Sequence, residues 1–252
     1  MRSQGIGVTD VGRRRKNNQD AFAVDNDLGL FIVADGMGGH ASGEIASEEA
    51  VDAVRSLVGK GRPTLAQISS GDDRPETLRA AVRLMESALQ NATYMVFGIA
   101  QYEPDQQGMG TTVSALVVAG NYGLIGQVGD SRVYLIRDGV AAQLTTDHTL
   151  VAWQVRQGII TPEEAAVSPH RNVITRAVGS REYVQVDTRF VPVLPGDAFL
   201  LCSDGLHGYC DEGEIAEIVA SEGDNAAQIF VDISNARGGR DNITAVVVRI
   251  TE

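Results

Sequence analysis

The 252-residue chain reads as an α+β protein, with two antiparallel β-sheets packed as a central sandwich and pairs of antiparallel helices outside, an αββα order of layers. Three observations predict it. Short apolar or alternating runs dominate both ends of the sequence. Many of the turns between them favour hairpins over crossovers, and amphipathic helical stretches fall between the strand groups.

The strands expected are 6–9, 21–24, 28–34, 112–118, 122–128, 132–136, 141–144, 183–191, 198–202 and 243–250. Asp25-Asn26-Asp27, Gly120-Asn121 and Asp138-Gly139 separate successive runs as tight-turn signals. Between residues 76 and 100, Leu78, Val82, Met85, Leu89, Ala92, Val96 and Ile99 recur in steps of four and three, the stripe of one long helix. Asp73, Pro75 and Glu76 mark its expected N-terminus. A second helix is expected over 44–57, with Ala46, Ala50, Val54 and Leu57 on one face, and two more over 212–220 and 225–236. Residues 59–74 are polar and turn-rich and read as a surface loop. With no internal repeat or low-complexity tract, residues 1–252 read as one domain.

Composition narrows the function. A formal net charge of −12 argues against nucleic acid or an anionic membrane as partner. No apolar run approaches the ~20 residues that span a bilayer, and the first residues carry no secretory h-region. Cys202 and Cys210 form no framework, so a reduced, cytoplasmic chain is expected.

Four aspartates carry the chemistry. Asp20, Asp35, Asp204 and Asp241 each stand where a strand-like run meets a turn, two near the start of the chain and two near its end. Gathering carboxylates is unfavourable, because like charges raise one another's pKa, so a fold that converged them would need a cation. Oxygen-only ligands suit Mg²⁺ or Mn²⁺. Asp130, in Gly129-Asp130-Ser131-Arg132, offers a fifth carboxylate. Each Asp-Gly taken singly is an ordinary turn former; the case rests on all of them together. The basic run Arg13-Arg14-Arg15-Lys16 reads mainly as a solvated face. Arg15, five residues before Asp20, is placed to reach the same site, and its fork matches two phosphate oxygens.

The motifs R-x-x-N-x-D at 15–20, D-G-M-G-G-H at 35–40, G-D-S-R at 129–132, S-D-G at 203–205 and D-N at 241–242 stand in order over the whole chain. In this the sequence resembles the metal-dependent Ser/Thr protein phosphatases of type 2C, the PPM family, in its bacterial branch. The resemblance implies metal-dependent hydrolysis of phosphoserine and phosphothreonine in proteins, by direct attack of a metal-bridging hydroxide. It implies two core Mn²⁺ or Mg²⁺ ions, with Asp35 bridging both, Asp20 and the Gly36 carbonyl on one, and Asp204 and Asp241 on the other. Asp130, with Asp204, would hold a third, weaker ion. Arg15 would clamp the phosphate. His40 is either the general acid for the leaving oxygen or a histidine capping a glycine turn. Gln19 stands where the family often has glutamate, which touches only the hydrogen bonding around the site. Residues 146–180 would form a flap beside the active site, with Trp153 covering core and His170 and Arg171 toward substrate. Partners implied are phosphorylated proteins, including Ser/Thr kinases and their substrates, and a monomer is expected.

Other chemistries lack their residues. Six positions beyond Cys202 and Cys210 stand Gly208 and Ala216, where a cysteine-dependent phosphatase needs arginine. Asp25-Asn26-Asp27 continues into Leu28-Gly29, so the D-x-D motif of an aspartyl-phosphate enzyme is incomplete. Four histidines are too few for the histidine-rich metallophosphatases, and Ser131 has no Asp-x-x-His partner late in the chain. The alternative from another class is a catalytically silent, metal-stabilised module that binds phosphoproteins. Degenerate carboxylates would mark it, and here all are intact.

Overall fold

The computed structural model describes residues 1–38 and 42–252. The elements in chain order are β1 (Arg2–Asp10), β2 (Asp20–Asp25), β3 (Leu30–Met37), α1 (Ser42–Lys60), α2 (Arg62–Ser69), α3 (Pro75–Tyr102), β4 (Gly110–Thr111), β5 (Val113–Ala119), β6 (Tyr122–Val128), β7 (Arg132–Arg137) and β8 (Val140–Gln143). They continue as α4 (Leu150–Arg156), α5 (Pro162–Val167), β9 (Asp187–Pro192), β10 (Ala198–Cys202), α6 (Asp204–His207), α7 (Glu212–Glu222), α8 (Ala226–Ala236) and β11 (Ile243–Thr251). One sheet has the order β1-β11-β10-β7-β8 and the other β2-β3-β5-β6-β9, with β4 paired to β3. Every pairing is antiparallel. The α+β sandwich expected from the sequence is the fold observed.

Strand alternation divides the interior into three layers. In β3, Phe31 and Val33 face the other sheet, while Leu30, Ile32 and Ala34 join the layer under the helices. In β11, Val246, Val248 and Ile250 lie between the sheets, and Ala245 and Val247 lie beneath α7 and α8. Buried on both faces, these strands read as continuous apolar runs. The α3 stripe falls where the 3.6-residue period puts it, with Met85, Leu89, Ala92 and Val96 fully buried against the six-stranded sheet.

Two pairings place the functional edge. Strand β1 pairs with β11 over its full length, from Arg2 opposite Thr251 to Asp10 opposite Ile243. This sets the segment after β1 beside the one before β11. Strand β2 then pairs with β3 so that Asp20 stands opposite Asp35.

The structure corrects several expectations. Residues 59–74 are not a plain loop, because α2 forms within them and buries Leu65 and Ile68 on a single side. The start of α3 has no side-chain cap at all. Its N-cap is Arg74, Asp72 takes the Arg74 fork and the Thr77 hydroxyl, and Asp73 accepts from Tyr122. Strand β9 begins at Asp187 rather than 183. Trp153 is 45% exposed and covers no core. Helices α5 and α6 were not anticipated, although Thr161 and Glu164 make a reciprocal capping box before α5.

Between the sheets, Phe31 packs so closely over Gly5 that a Cβ there would lie 2.4 Å from its ring. Phe31→Ala is expected to lower unfolding free energy by ~3–5 kcal/mol in urea denaturation without a change of m-value. A loss below about 1 kcal/mol would contradict this placement of the core.

Candidate active site

Strand register alone puts the first two carboxylates side by side. Residues directly opposite on antiparallel strands project to one face with Cβ atoms about 5 Å apart, and Asp20 and Asp35 are such a pair. Asp20 is almost fully buried. Its Oδ2 accepts the hydroxyls of Ser203 and Thr244, each at 2.7 Å, from the far end of the chain. Since Thr244 Oγ1 donates there, it accepts in turn from Thr9 Oγ1 at 2.7 Å. Asp35 is held through its backbone. Its N–H donates to Thr112 Oγ1 at 2.9 Å, and its carbonyl accepts Thr112 N–H and the Thr111 hydroxyl, both at 2.9 Å.

Two glycines let the chain segments meet. A Cβ on Gly36 would lie 2.0 Å from the Gly43 carbonyl oxygen, and one on Gly205 would lie 1.9 Å from that of Asn242. Any side chain at either position would push the segments apart. Asp204 opens α6 at the end of β10. Asn242 fastens the two chain ends together: its Nδ2 donates to the Val11 and Asn17 carbonyls at 3.0 and 2.9 Å, and its Oδ1 accepts Gln19 N–H at 2.8 Å. Neighbouring Asp241 accepts from Arg15 Nη2 at 2.7 Å, which leaves the rest of a half-exposed guanidinium pointing elsewhere. Arg13, Arg14 and Lys16 are exposed, as a solvated basic face requires.

Asp130 lies in the β6–β7 turn, 7% exposed. The Thr112 hydroxyl, which accepts from Asp35 N–H, also shares a 2.6 Å hydrogen bond with buried Ser131 Oγ. One hydroxyl pair therefore joins the Asp35 and Asp130 segments, and Ser131 is walled in rather than poised as a nucleophile. Half-buried His207 donates its Nε2–H to the Asp130 carbonyl at 3.1 Å, and desolvation draws its pKa down to about 4.

The electrostatics are those of crowded anions. Burial, then the Asp204 and Asp241 charges, raises the Asp20 pKa to about 7 against two hydroxyl bonds that oppose the rise. Burial and the charges of Asp20, Asp204, Asp130 and Asp241 push Asp35 well above the carboxylate range. Asp130 rises to about 7 through burial and then Asp204, and Asp204 to about 6 through burial and then Asp241. The hydrogen bond to Asp241, together with nearby Asp35 and Asp204, raises Arg15. Asp35 thus lies within electrostatic reach of the other four carboxylates.

This donor set fits hard divalent cations. It consists wholly of oxygens, and among the described residues the buried Asp20 Oδ1 and Asp204 Oδ1 have no hydrogen-bond partner. No three His, Cys, Asp or Glu side chains of the described residues close around one point by themselves. An ion here would complete its shell with backbone carbonyl and water, as Mg²⁺ and its relatives do. Beside the carboxylates a cleft of about 840 Å³ runs to the β8–β9 connection, lined by Asp130, Asp204, Arg132, Val155, Arg156 and Arg171. His40 lies outside the described residues.

Residues 11–235 match the family model described as Protein phosphatase 2C. The chain belongs to the protein phosphatase 2C family. It is 39% identical over 245 residues to the serine/threonine phosphatase stp of Listeria innocua, covering 95% of this chain and 93% of that one. The solved serine/threonine phosphatase PstP/Ppp of Mycobacterium tuberculosis superposes with a TM-score of 0.85 at 35% identity, covering 100% of both chains. The catalytic domain of the serine threonine protein phosphatase PstP, solved in complex with two manganese ions, gives 0.83 at 33% identity over 100% of this chain and 99% of that one. Membership of the phosphatase 2C family accounts for the sandwich and for divalent metal dependence together.

The phosphatase 2C chain stripped of metal should behave as its carboxylates dictate. A carboxyl whose folded pKa is raised contributes stability below its unfolded pKa of ~3.9 and loses it as pH rises through the folded value. For Asp20, Asp130 and Asp204 that window runs up to about 6 or 7. His207, lowered to about 4, acts in the opposite sense, so the comparison must isolate one carboxyl. In chelator, the melting temperature of Asp20→Asn relative to wild type is expected to climb from pH 5 to pH 8. A constant difference would contradict the crowding.

Proposed function

We propose that the chain hydrolyses phosphoserine and phosphothreonine esters in proteins, with water attacking phosphorus directly and no phospho-enzyme. The observation that carries this reading is the convergence of carboxylates from both chain ends, with unpartnered buried oxygens, beside Arg15. The chain is a metal-dependent serine/threonine protein phosphatase. Asp35 is assigned to both core ions, Asp20 and the Gly36 carbonyl to one, Asp204 and Asp241 to the other, and Asp130 with Asp204 to a third, weaker ion. When bound, the divalent ions supply an acidified water at neutral pH and offset the phosphoryl charge.

The chain's own groups do the rest. Arg15 keeps one nitrogen on Asp241 and offers its remaining donors to phosphoryl oxygens, so it is oriented before substrate arrives. Asp35 is immobilised by three backbone contacts, which suits a group on which two ions would depend. His40 is assigned to protonate the leaving oxygen, on its place in the D-G-M-G-G-H motif alone. Local cation charge reconciles a net charge of −12 with a dianionic substrate. The silent binding module is not favoured, since every carboxylate such a module would lose is present.

Residues 1–252 are read as one catalytic domain, supported by the pairing of β1 with β11 in one sheet. Residues 146–180 are read as a flap. Arg171 in it lines the cleft, whereas His170 is exposed on the preceding turn, so Arg171 is the better candidate to meet substrate. Mg²⁺ is an alternative to Mn²⁺ on the oxygen-only donor set. Phosphorylated kinases and their substrates are proposed as partners in signalling, met by a monomer. A cytoplasmic location is supported by two unpaired buried cysteines and by the lack, among the described residues, of any helix long and apolar enough to cross a membrane.

Asp35→Asn is expected to lower kcat on a phosphothreonine peptide by at least about 10²-fold, the scale of losing one electrostatic contact to a reacting group, with the far-UV circular dichroism unchanged. Excess chelator should abolish wild-type turnover and Mn²⁺ restore it. Near-wild-type turnover of the variant would reject the bridging assignment.

A further inference from the structure

His148 opens the connection between β8 and β9 and is 1% exposed. Its peptide N–H donates to the Gly129 carbonyl at 2.9 Å, and its carbonyl accepts both the N–H and the hydroxyl of Thr175, at 2.8 and 2.9 Å. Its ring does the same on both sides. Nδ1 accepts the Gly129 N–H at 3.1 Å, and Nε2 lies 3.1 Å from Asp187 Oδ2. An amide can only donate, so Nδ1 is bare and the ring hydrogen sits on Nε2, aimed at Asp187. Arg176 Nη1, 2.7 Å from Asp187 Oδ1 and 3.2 Å from Nε2, completes the group. With its hydrogen on Nε2 the neutral ring meets Gly129 and Asp187 at once, while Arg176, a donor only, bonds Asp187 and merely abuts Nε2.

The Gly129 peptide that the ring grips immediately precedes Asp130. Gly129 has φ +104°, and a Cβ on it would lie 2.5 Å from the Thr112 side chain. Gln127 Nε2 donates to the Gly129 carbonyl at 3.1 Å and to the Ser131 carbonyl at 2.8 Å. The turn bearing Asp130 is thus held from below by Gln127 and Thr112 and from the side by His148. His148 links it to Thr175 and Asp187, beside the pairing of Gln127 with Asp187 that joins β6 to β9.

We propose that His148 is a positioning residue, whose Nδ1 clamps the Gly129 amide, holds Asp130 in place toward Asp204, and so sets the affinity of the third cation from the base of the β8–β9 connection. The inference rests on the assignment of Asp130 and Asp204 to a third, weaker ion.

Two substitutions separate the ring's nitrogens. His148→Asn retains an acceptor near the Nδ1 position, whereas His148→Gln carries its amide toward Asp187 and leaves the Gly129 N–H unmet. Calorimetric Mn²⁺ titration of wild type, both variants and Asp130→Ala makes the test. His148→Gln is expected to weaken the weakest Mn²⁺ site by about tenfold, equivalent to the ~1.4 kcal/mol of one lost buried hydrogen bond, with the two tight sites unchanged. The Mn²⁺ concentration for half-maximal turnover of a phosphothreonine peptide should rise in step. His148→Asn should stay within about twofold of wild type on the same scale. Equal effects of Asn and Gln on Mn²⁺ binding, or wild-type binding by His148→Gln, would make His148 a core histidine and overturn the proposal. Should Asp130→Ala itself keep the weak site, the Asp130 assignment fails and the proposal with it; should Asp130→Ala lose the site while His148→Gln keeps it, only the proposal fails. If His148→Gln is too unstable to titrate, Asp187→Ala replaces it and is expected to weaken that site alone, unchanged binding again overturning the proposal.

Discussion

Mutual repulsion among five aspartates, buried or half-buried at one edge of a β-sandwich, is the constraint around which this molecule is organised. Apolar burial favours the sandwich, but it does not favour Asp20, Asp35, Asp130, Asp204 and Asp241 sharing an edge. Desolvation and like charge both disfavour their ionised forms, and four of the five are displaced upward accordingly. The fold tolerates this because the backbone leaves the side chains no freedom to separate. Asp20 and Asp35 are register partners, and the β1–β11 pairing delivers the C-terminal pair to the same edge. Divalent cations convert that repulsion into binding.

Around the carboxylates lies a shell of small, neutral hydrogen-bonding groups. Ser203, Thr244 and Thr9 stand behind Asp20, and Thr112 and Ser131 behind Asp35 and Asp130. Asn242 ties the β1–β2 connection to the segment before β11. Hydroxyls suit this position because they turn to donate or accept as the ionisation of their partner changes. Arg15, paired with Asp241, brings a formal positive charge to the carboxylates themselves. Positioning and electrostatics, rather than a reactive side chain, are what this arrangement supplies to phosphoryl transfer.

Much of the architecture was legible in the sequence because both of its periods are strong. Strands 122–128 and 198–202 form with the expected bounds, and the 76–100 stripe became α3. Helix α2 was hidden because only Leu65 and Ile68 mark it within a polar stretch, too few for a 3.6-residue period to stand out. The start of α3 misled because Asp72, not Asp73, takes the local bonds. The carboxylates were legible because each stands where a strand-like run meets a turn. Their supporting shell was not. Thr244 reaches Asp20 across 224 residues and His148 reaches Asp187 across 39, and no local spacing encodes such pairings. Asn242 and Ser203 stood inside quoted motifs, yet only the structure shows what they hold.

The most direct test of the account is a crystal grown with Mn²⁺ and measured at an energy where manganese scatters anomalously. The account predicts two strong anomalous peaks a few ångströms apart, both reached by Asp35, one by Asp20 and the other by Asp204 and Asp241. No peak among these side chains, or a single ion that leaves either chain end uninvolved, would contradict it.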